Sequence, residues 1–210
     1  MPSEYLIVAN GDFLSENLLQ KLSDNKIILA LDGAADRLKK LDIQPSIILG
    51  DFDSIENLED WKKNSGIQIV HAPDQDKTDL FKALDYIKPF EPASIHLACA
   101  YSSSRMDHTL NNLRALRVFY QKNCPIYFYT EHQKIFFAQN ETLYLTGTIG
   151  DTVGIMSFPE AAFTSIGLTY NGHHFPLSFG FSESVANSFA STKAEIQIKG
   201  EALVILNNNL

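Results

Sequence analysis

The feature that most constrains this chain is an alternation over residues 1–130 of short, mainly apolar runs with amphipathic stretches of helical period. The runs at 5–9, 27–31, 47–49, 67–70, 95–98 and 126–129 are apolar on successive residues rather than every second one, interrupted only by Gln68 and His96. Such runs suit strands buried on both faces. Between them, Leu80, Phe81, Leu84 and Ile87 share one helical face, and Met106, Leu110, Leu113 and Tyr120 define another. Strand–helix alternation of this kind predicts a mostly parallel sheet covered by helices. From about residue 131 helical periodicity fades, and glycines punctuate short alternating runs such as 142–146, 195–199 and 202–206. The last two, separated by Gly200-Glu201, read as a hairpin. The expected architecture is therefore an α/β domain over 1–130 and a smaller all-β domain over 131–210.

The residues immediately beyond each predicted strand narrow the chemistry. The segments are Asn10-Gly11-Asp12, Asp32-Gly33, Gly50-Asp51-Phe52-Asp53-Ser54, Asp74-Gln75-Asp76-Lys77-Thr78-Asp79, and a serine run leading to Arg105-Met106-Asp107-His108. In a parallel sheet these all emerge on one edge, where open α/β sheets bind ligands. Taken singly, Asp, Asn and Ser are ordinary turn and cap residues. Taken together, carboxylates on one edge repel each other unless a cation neutralises them. A hard divalent metal such as Mg²⁺, which takes one or two carboxylates plus substrate phosphates, is the economical inference. Neither a G-x-x-x-x-G-K-[ST] loop nor a G-x-G-x-x-G fingerprint is present. Phosphates would then rest on metal, Arg105, Lys77 and helix N-termini.

Competing motif readings are weaker. Asp74, Asp76, Thr78 and Asp85 mimic a calcium loop, but Asp79 stands where such a loop needs glycine. His173-His174 lacks a nearby cluster of further ligands, and His96 lies in a predicted buried strand, so packing roles are expected for all three. Ser102–Ser104 with His108 lacks a nucleophile elbow. Trp61 reads as half-buried packing. The net charge of −8 argues against a nucleic-acid face, and no apolar stretch approaches membrane-spanning length. Residues 1–10 carry no basic region, so no signal peptide is expected. Cys99 and Cys124 fit no metal or redox spacing and suit small core positions in a reducing cytoplasm.

Three blocks carry a resemblance: Gly50-Asp51-Phe52-Asp53-Ser54, Asp74-Gln75-Asp76-Lys77-Thr78-Asp79 and Arg105-Met106-Asp107-His108-Thr109-Leu110-Asn111-Asn112-Leu113. In order and spacing they resemble the signature blocks of thiamine pyrophosphokinases. Leu31-Asp32-Gly33-Ala34-Ala35, Gly167-Leu168-Thr169-Tyr170 and Val185-Ala186-Asn187-Ser188-Phe189 are similar to further blocks of that family. The resemblance implies a Rossmann-like three-layer α/β domain followed by a β-sandwich that binds thiamine and dimerises. It implies transfer of the ATP diphosphate to the thiamine hydroxyl, giving thiamine diphosphate and AMP. It further implies a homodimer with active sites between the α/β domain of one subunit and the β domain of the other.

Carried across by residue, the resemblance gives Asp51, Asp53 and Asp79 the Mg²⁺. Asp32 would support the metal or the nucleotide, and Asp107 would stand beside both as a further catalytic carboxylate. Lys77, Thr78, Arg105, His108 and Asn112 would serve nucleotide and phosphate. Gln75 and Asn187 would touch the thiamine pyrimidine, with Phe189 packed on it. The chain departs from the family pattern at Ala34, Ala100, Ser103 and Ser104, where glycines are usual, and at Ala186, where serine is usual. These departures keep two alternatives open: a diphosphokinase for another alcohol such as a hydroxymethyl pterin, and a non-catalytic nucleotide or thiamine sensor.

Overall fold

The computed structural model describes residues 2–56 and 58–210. It divides into two compact units, with the break between Glu131 and His132.

The first unit contains six strands: β1 (Glu4–Val8), β2 (Ile27–Leu31), β3 (Ile47–Gly50), β4 (Gln68–His71), β5 (Ser94–Ala98) and β6 (Ile126–Tyr129). They pair in parallel in the order β6-β5-β1-β2-β3-β4. Five helices connect them: α1 (Glu16–Ser23), α2 (Ala34–Lys39), α3 (Leu58–Lys62), α4 (Asp79–Ile87) and α5 (Met106–Val118). Because side chains alternate along a strand, each strand feeds two cores. Leu6, Val8, Ile28, Ala30 and Ile48 pack with Leu18, Leu19 and Leu22 of α1, Ala35 and Leu38 of α2, and Trp61 of α3. Their neighbours Ile7, Leu29, Leu49 and Leu97 are buried on the opposite face. There α4 packs on β2 and β3, and α5 on β6. Leu80, Ala83, Leu84 and Ile87 are the buried stripe of α4. Each such leucine or isoleucine contributes about 1.5–3 kcal/mol by leaving water.

The order of strands reverses direction between β1 and β5. From β1 the chain moves outward through β2, β3 and β4, then returns to lay β5 and β6 on the other side. The switch point therefore lies between β1 and β5, which is where an open α/β sheet forms its ligand crevice.

Two sequence expectations are corrected here. Helix α5 does not bury Leu110, which is 62% exposed, and Met106 is exposed as well. Instead Thr109 and Leu116 are buried, with Asn112 on the same stripe. The reason is polar. Thr109 Oγ1 accepts from Ser102 N (2.8 Å) and donates to Ser102 O (3.1 Å), while Asn112 Nδ2 donates to Ala100 O (2.8 Å). Satisfying the loop after β5 outweighs burying two apolar side chains. Tyr120 lies beyond the end of α5. Trp61 is buried rather than half-buried, its Nε1 donating to Asp36 Oδ1 at 2.9 Å.

The second unit is antiparallel: β7 (Gln133–Gln139), β8 (Thr142–Thr146), β9 (Thr152–Ile166), β10 (Phe175–Ser178), β11 (Ser184–Ser188) and β12 (Lys193–Asn207). The expected hairpin at Gly200-Glu201 is instead a bulge within the single strand β12. The register of β12 on β9 shifts between Gly200 and Ala202. Gly200 takes φ 88°, and a Cβ there would sit 2.5 Å from Glu160 O. Only glycine accommodates both conditions. Beyond the bulge β12 pairs with β7; before it, β12 pairs with β8. Strand β9 likewise divides its far edge between β11 and β10. Two bent strands thus build both layers of a sandwich around Val153, Ile155, Phe163, Ile196, Ile198 and Val204.

Candidate active site

A cleft of about 500 Å³ opens at the carboxyl edge of the parallel sheet. Its floor is the switch point: Ala9, Asn10 and Gly11 after β1, and Cys99, Ala100 and Ser102 after β5. The two loops are zipped together. Gly11 N donates to Cys99 O (2.9 Å), Asp12 N to Tyr101 O (2.8 Å), and Ser103 N to Asp12 Oδ2 (2.9 Å). A Cβ on Gly11 would stand 2.2 Å from Tyr101 O, so glycine is required for this approach. Arg37 Nη1 buttresses the turn from outside by donating to Gly11 O at 2.8 Å. Burial pushes the Cys99 thiol up to about 12, which keeps it an inert part of the floor.

One wall carries the carboxylates. Asp32, just past β2, is 6% exposed. Its Oδ2 accepts from Ser54 N at 3.1 Å, but its buried Oδ1 has no hydrogen-bond partner among the described residues. Burial raises the Asp32 pKa above its ordinary value, opposed by the hydrogen bonds from Ser54. Asp51 and Asp53 follow β3. Phe52 between them takes φ 69° and stacks on His71. Asp51 Oδ2 accepts from Gln75 Nε2 (3.2 Å), and Asp53 Oδ1 from Ser54 Oγ (2.8 Å). Asp32, Asp51 and Asp53 each present an oxygen, and these lie within 4.8 Å of one another. An orphaned buried carboxylate oxygen facing two more carboxylates is a donor set suited to a hard divalent cation, so these residues fit Mg²⁺.

The adjoining wall comes from the loop after β4 and the first turn of α4. Gln75, Lys77, Thr78 and Asp79 all line the cleft. Asp79 lies outside the converging triad, its Oδ1 taken by Lys82 Nζ at 3.0 Å. Asp32 replaces it as the third converging oxygen. Arg105, His108 and Asn112 close the mouth. Asp107 does not line the cleft. It binds the Arg105 guanidinium through both oxygens (Nε to Oδ1 3.0 Å, Nη2 to Oδ2 2.8 Å), which holds its pKa down at about 2. In this structure Asp107 is the partner that orients Arg105.

Asn187 and Phe189 are committed inside the β unit. Both are 2% exposed. The Asn187 amide accepts from Tyr170 N (3.0 Å) and Ser188 N (2.9 Å) and donates to Tyr170 O (2.8 Å). Phe189 belongs to the core, and its ring fills the space a Cβ on Gly147 would need. In this structure both side chains hold the β unit together, Asn187 through the Tyr170 backbone and Phe189 through the core. The replaced glycines are also resolved. Ala34, Ala100, Ser103 and Ser104 all keep negative φ, so none needs the freedom of glycine; Ala186 alone of the departures adopts positive φ, at 60°. The sequence did not single out Lys82, although its position one turn after Asp79 is a usable signal.

A cleft at the switch point of a parallel sheet, with three clustered carboxylates on one wall and lysine and arginine in its lining, defines the class: an α/β protein with a site suited to phosphates. Comparison with known proteins sharpens this. The sequence matches the family described as "Thiamin pyrophosphokinase, catalytic domain" over residues 18–128, and "Thiamin pyrophosphokinase, vitamin B1 binding domain" over residues 134–204. It is 28% identical to Thiamin pyrophosphokinase 1 of Caenorhabditis elegans, over 93% of this chain and 83% of that protein. The crystal structure of thiamine pyrophosphokinase from Bacillus subtilis superposes with a TM-score of 0.86 at 22% identity, covering 99% of this chain and 100% of that one. The Candida albicans thiamin pyrophosphokinase also gives 0.86 at 17% identity, covering 99% and 90%. The chain belongs to the thiamin pyrophosphokinase family, and its activity is that of a thiamine diphosphokinase.

Proposed function

We propose that the chain binds ATP in the switch-point cleft with Mg²⁺ held by Asp32, Asp51 and Asp53, and passes the diphosphate as one unit to thiamine. The observation that carries this reading is the Asp32 Oδ1 atom, buried and unpartnered beside two further carboxylates. A bound Mg²⁺ would supply charge neutralisation on the transferring phosphates. Arg105, pre-oriented by Asp107, and Lys77 supply positive charge at the mouth. His108, Asn112 and Thr78 position the nucleotide, while Gln75, already bonded to Asp51, stands between the metal site and the thiamine.

In the reaction the thiamine hydroxyl oxygen bonds to the β-phosphorus, the bond from that phosphorus to the α–β bridging oxygen breaks, and AMP departs with the electron pair. The hydroxyl proton leaves to a carboxylate of the cleft. Catalysis is mainly positioning and electrostatics. A homodimer is part of this reading, supported by the family and by the exposed aromatic side chains of Phe175, Phe179 and Phe181 on the β unit. A cytoplasmic setting is supported by the two free, buried cysteines. No described helix is long and apolar enough to cross a membrane.

The test is an end-point assay with thiamine, ATP and Mg²⁺ that resolves AMP, ADP and thiamine diphosphate. AMP and thiamine diphosphate in equal amounts, abolished by EDTA, are expected. Asp53→Ala is expected to lower turnover at least roughly 100-fold with the fold intact. ADP without AMP would overturn the choice of phosphorus, and near-normal turnover of Asp53→Ala would overturn the metal assignment.

A further inference from the structure

Lys82 is a charged side chain of the cleft lining that the reaction does not use, and it is the most deeply placed cation there. Its side chain is only 8% exposed, although it sits on α4 one turn in from the cleft. Its ammonium makes two bonds. It donates to Ala72 O at 2.9 Å and to Asp79 Oδ1 at 3.0 Å. Ala72 is the first residue after β4, and Asp79 is the first residue of α4. The two bonds therefore join the ends of loop 73–78, which carries Gln75, Lys77 and Thr78. Ala72 is itself fixed to the sheet, its N–H donating to Gly50 O at 2.9 Å, immediately before Asp51.

From this geometry we infer that Lys82 is a positioning residue: it clamps loop 73–78 and the Asp79 carboxylate, setting the wall of the cleft that adjoins the Asp32–Asp51–Asp53 triad. The inference rests on the diphosphokinase reading for what the clamped wall serves. Three features support a clamp over a direct substrate contact. The ammonium is nearly buried, two of its three donors are already used, and both partners lie within the chain. The other tie from this loop to α4, Lys77 with Asp85, is exposed on both sides (51% and 42%) and so holds far less firmly. Releasing the loop leaves a carbonyl and a carboxylate without their cation and exposes the Lys77–Thr78 bond to cleavage.

The experiment has two arms. The first is limited trypsin digestion followed by mass spectrometry at the Lys77–Thr78 bond, with the remaining lysine and arginine sites as internal controls. Lys82→Met is expected to speed cleavage there by about tenfold or more, with other sites unchanged, and Lys82→Arg, which can still donate to both partners, is expected to stay within about threefold of wild type. The second arm is calorimetric binding of Mg·ATP to wild type, Lys82→Met, Asp79→Asn and the double variant. Lys82→Met is expected to weaken binding about tenfold in the wild-type background and by a clearly smaller factor beside Asp79→Asn, because one of the two ties that Lys82 makes is then already weakened.

Unchanged cleavage at Lys77 overturns the clamp, and so does equal loss of binding in both backgrounds, which would mark Lys82 as a direct phosphate contact. Should Lys82→Met fail to fold, Lys82→Gln, which keeps a shorter neutral donor, takes its place in both arms with an intermediate effect expected. A wild-type chain that makes no thiamine diphosphate overturns the diphosphokinase reading alone. The digestion arm then still decides the clamp.

Discussion

Replacing Asp32 by asparagine separates the demands of folding from those of the reaction. In the metal-free protein Asp32 is a cost, since its Oδ1 is buried without a partner and its carboxylate clusters with those of Asp51 and Asp53. An unsatisfied buried polar atom costs about 1–3 kcal/mol. In Asp32→Asn the amide oxygen keeps the bond from Ser54 N, and the neutral amide nitrogen in place of Oδ1 removes one of three clustered negative charges. The metal-free variant is therefore expected to gain about 1–2 kcal/mol, which for a chain of this size raises the melting temperature by roughly 2–8 °C. The same change removes a metal ligand. Thermal unfolding followed with and without Mg²⁺ and ATP checks both halves. Wild type should melt lower alone and rise on adding Mg·ATP; Asp32→Asn should melt higher alone, rise little, and turn over poorly. A metal-free variant less stable than wild type, or one that keeps the full ligand-induced rise, would refute the assignment of Asp32 as a strained metal ligand.

Two more outcomes concern the floor and the mouth of the cleft. Gly11→Ala pushes a Cβ against Tyr101 O and Cys99 O and forces apart the two backbone bonds between the β1 and β5 loops. Overpacking plus two lost bonds amount to about 3–5 kcal/mol, so the melting temperature should fall by roughly 6–20 °C, and an unchanged value would show the loops to be free to part. Asp107 should titrate near about 2 by carboxyl-carbon NMR and return toward the ordinary carboxylate range in Arg105→Ala. Because its folded pKa is depressed, the contribution of the pair is complete above the ordinary carboxylate range and fades as pH falls toward about 2. An ordinary titration in wild type would mean that Arg105 is not held by Asp107.

The sheet and the acidic edge were legible because both depend on local pattern. Most of the apolar runs are strands covered on both faces, and a parallel sheet sends every strand exit to one side; the run at 67–70 departs from this, since β4 is the edge strand and its Gln68 and His71 are exposed. Helix α5 was misread because apolar periodicity says nothing about which backbone groups need partners elsewhere. Thr109 and Asn112 turn inward to satisfy Ser102 and Ala100, and Leu110 turns out in consequence. Gly200-Glu201 was read as a turn because the positive φ that glycine permits serves a bulge equally well. Asn187 and Phe189 show a different limit. A shared motif transfers residue types, but whether a side chain faces a ligand or its own core depends on packing that the motif does not contain.

The bulge at Gly200 has a consequence for how the β unit comes apart. Strands β9 and β12 are 15 residues each, and they run through both layers of the sandwich. Neither layer can shed its central strand without stripping the other, so the two layers share one melting event. Partial opening is confined to the short flanking strands β8, β10 and β11, which lie against the long pair and span no more than five residues each. The aromatic turn after β10 is thus carried on a segment that can loosen while the body of the unit stays folded.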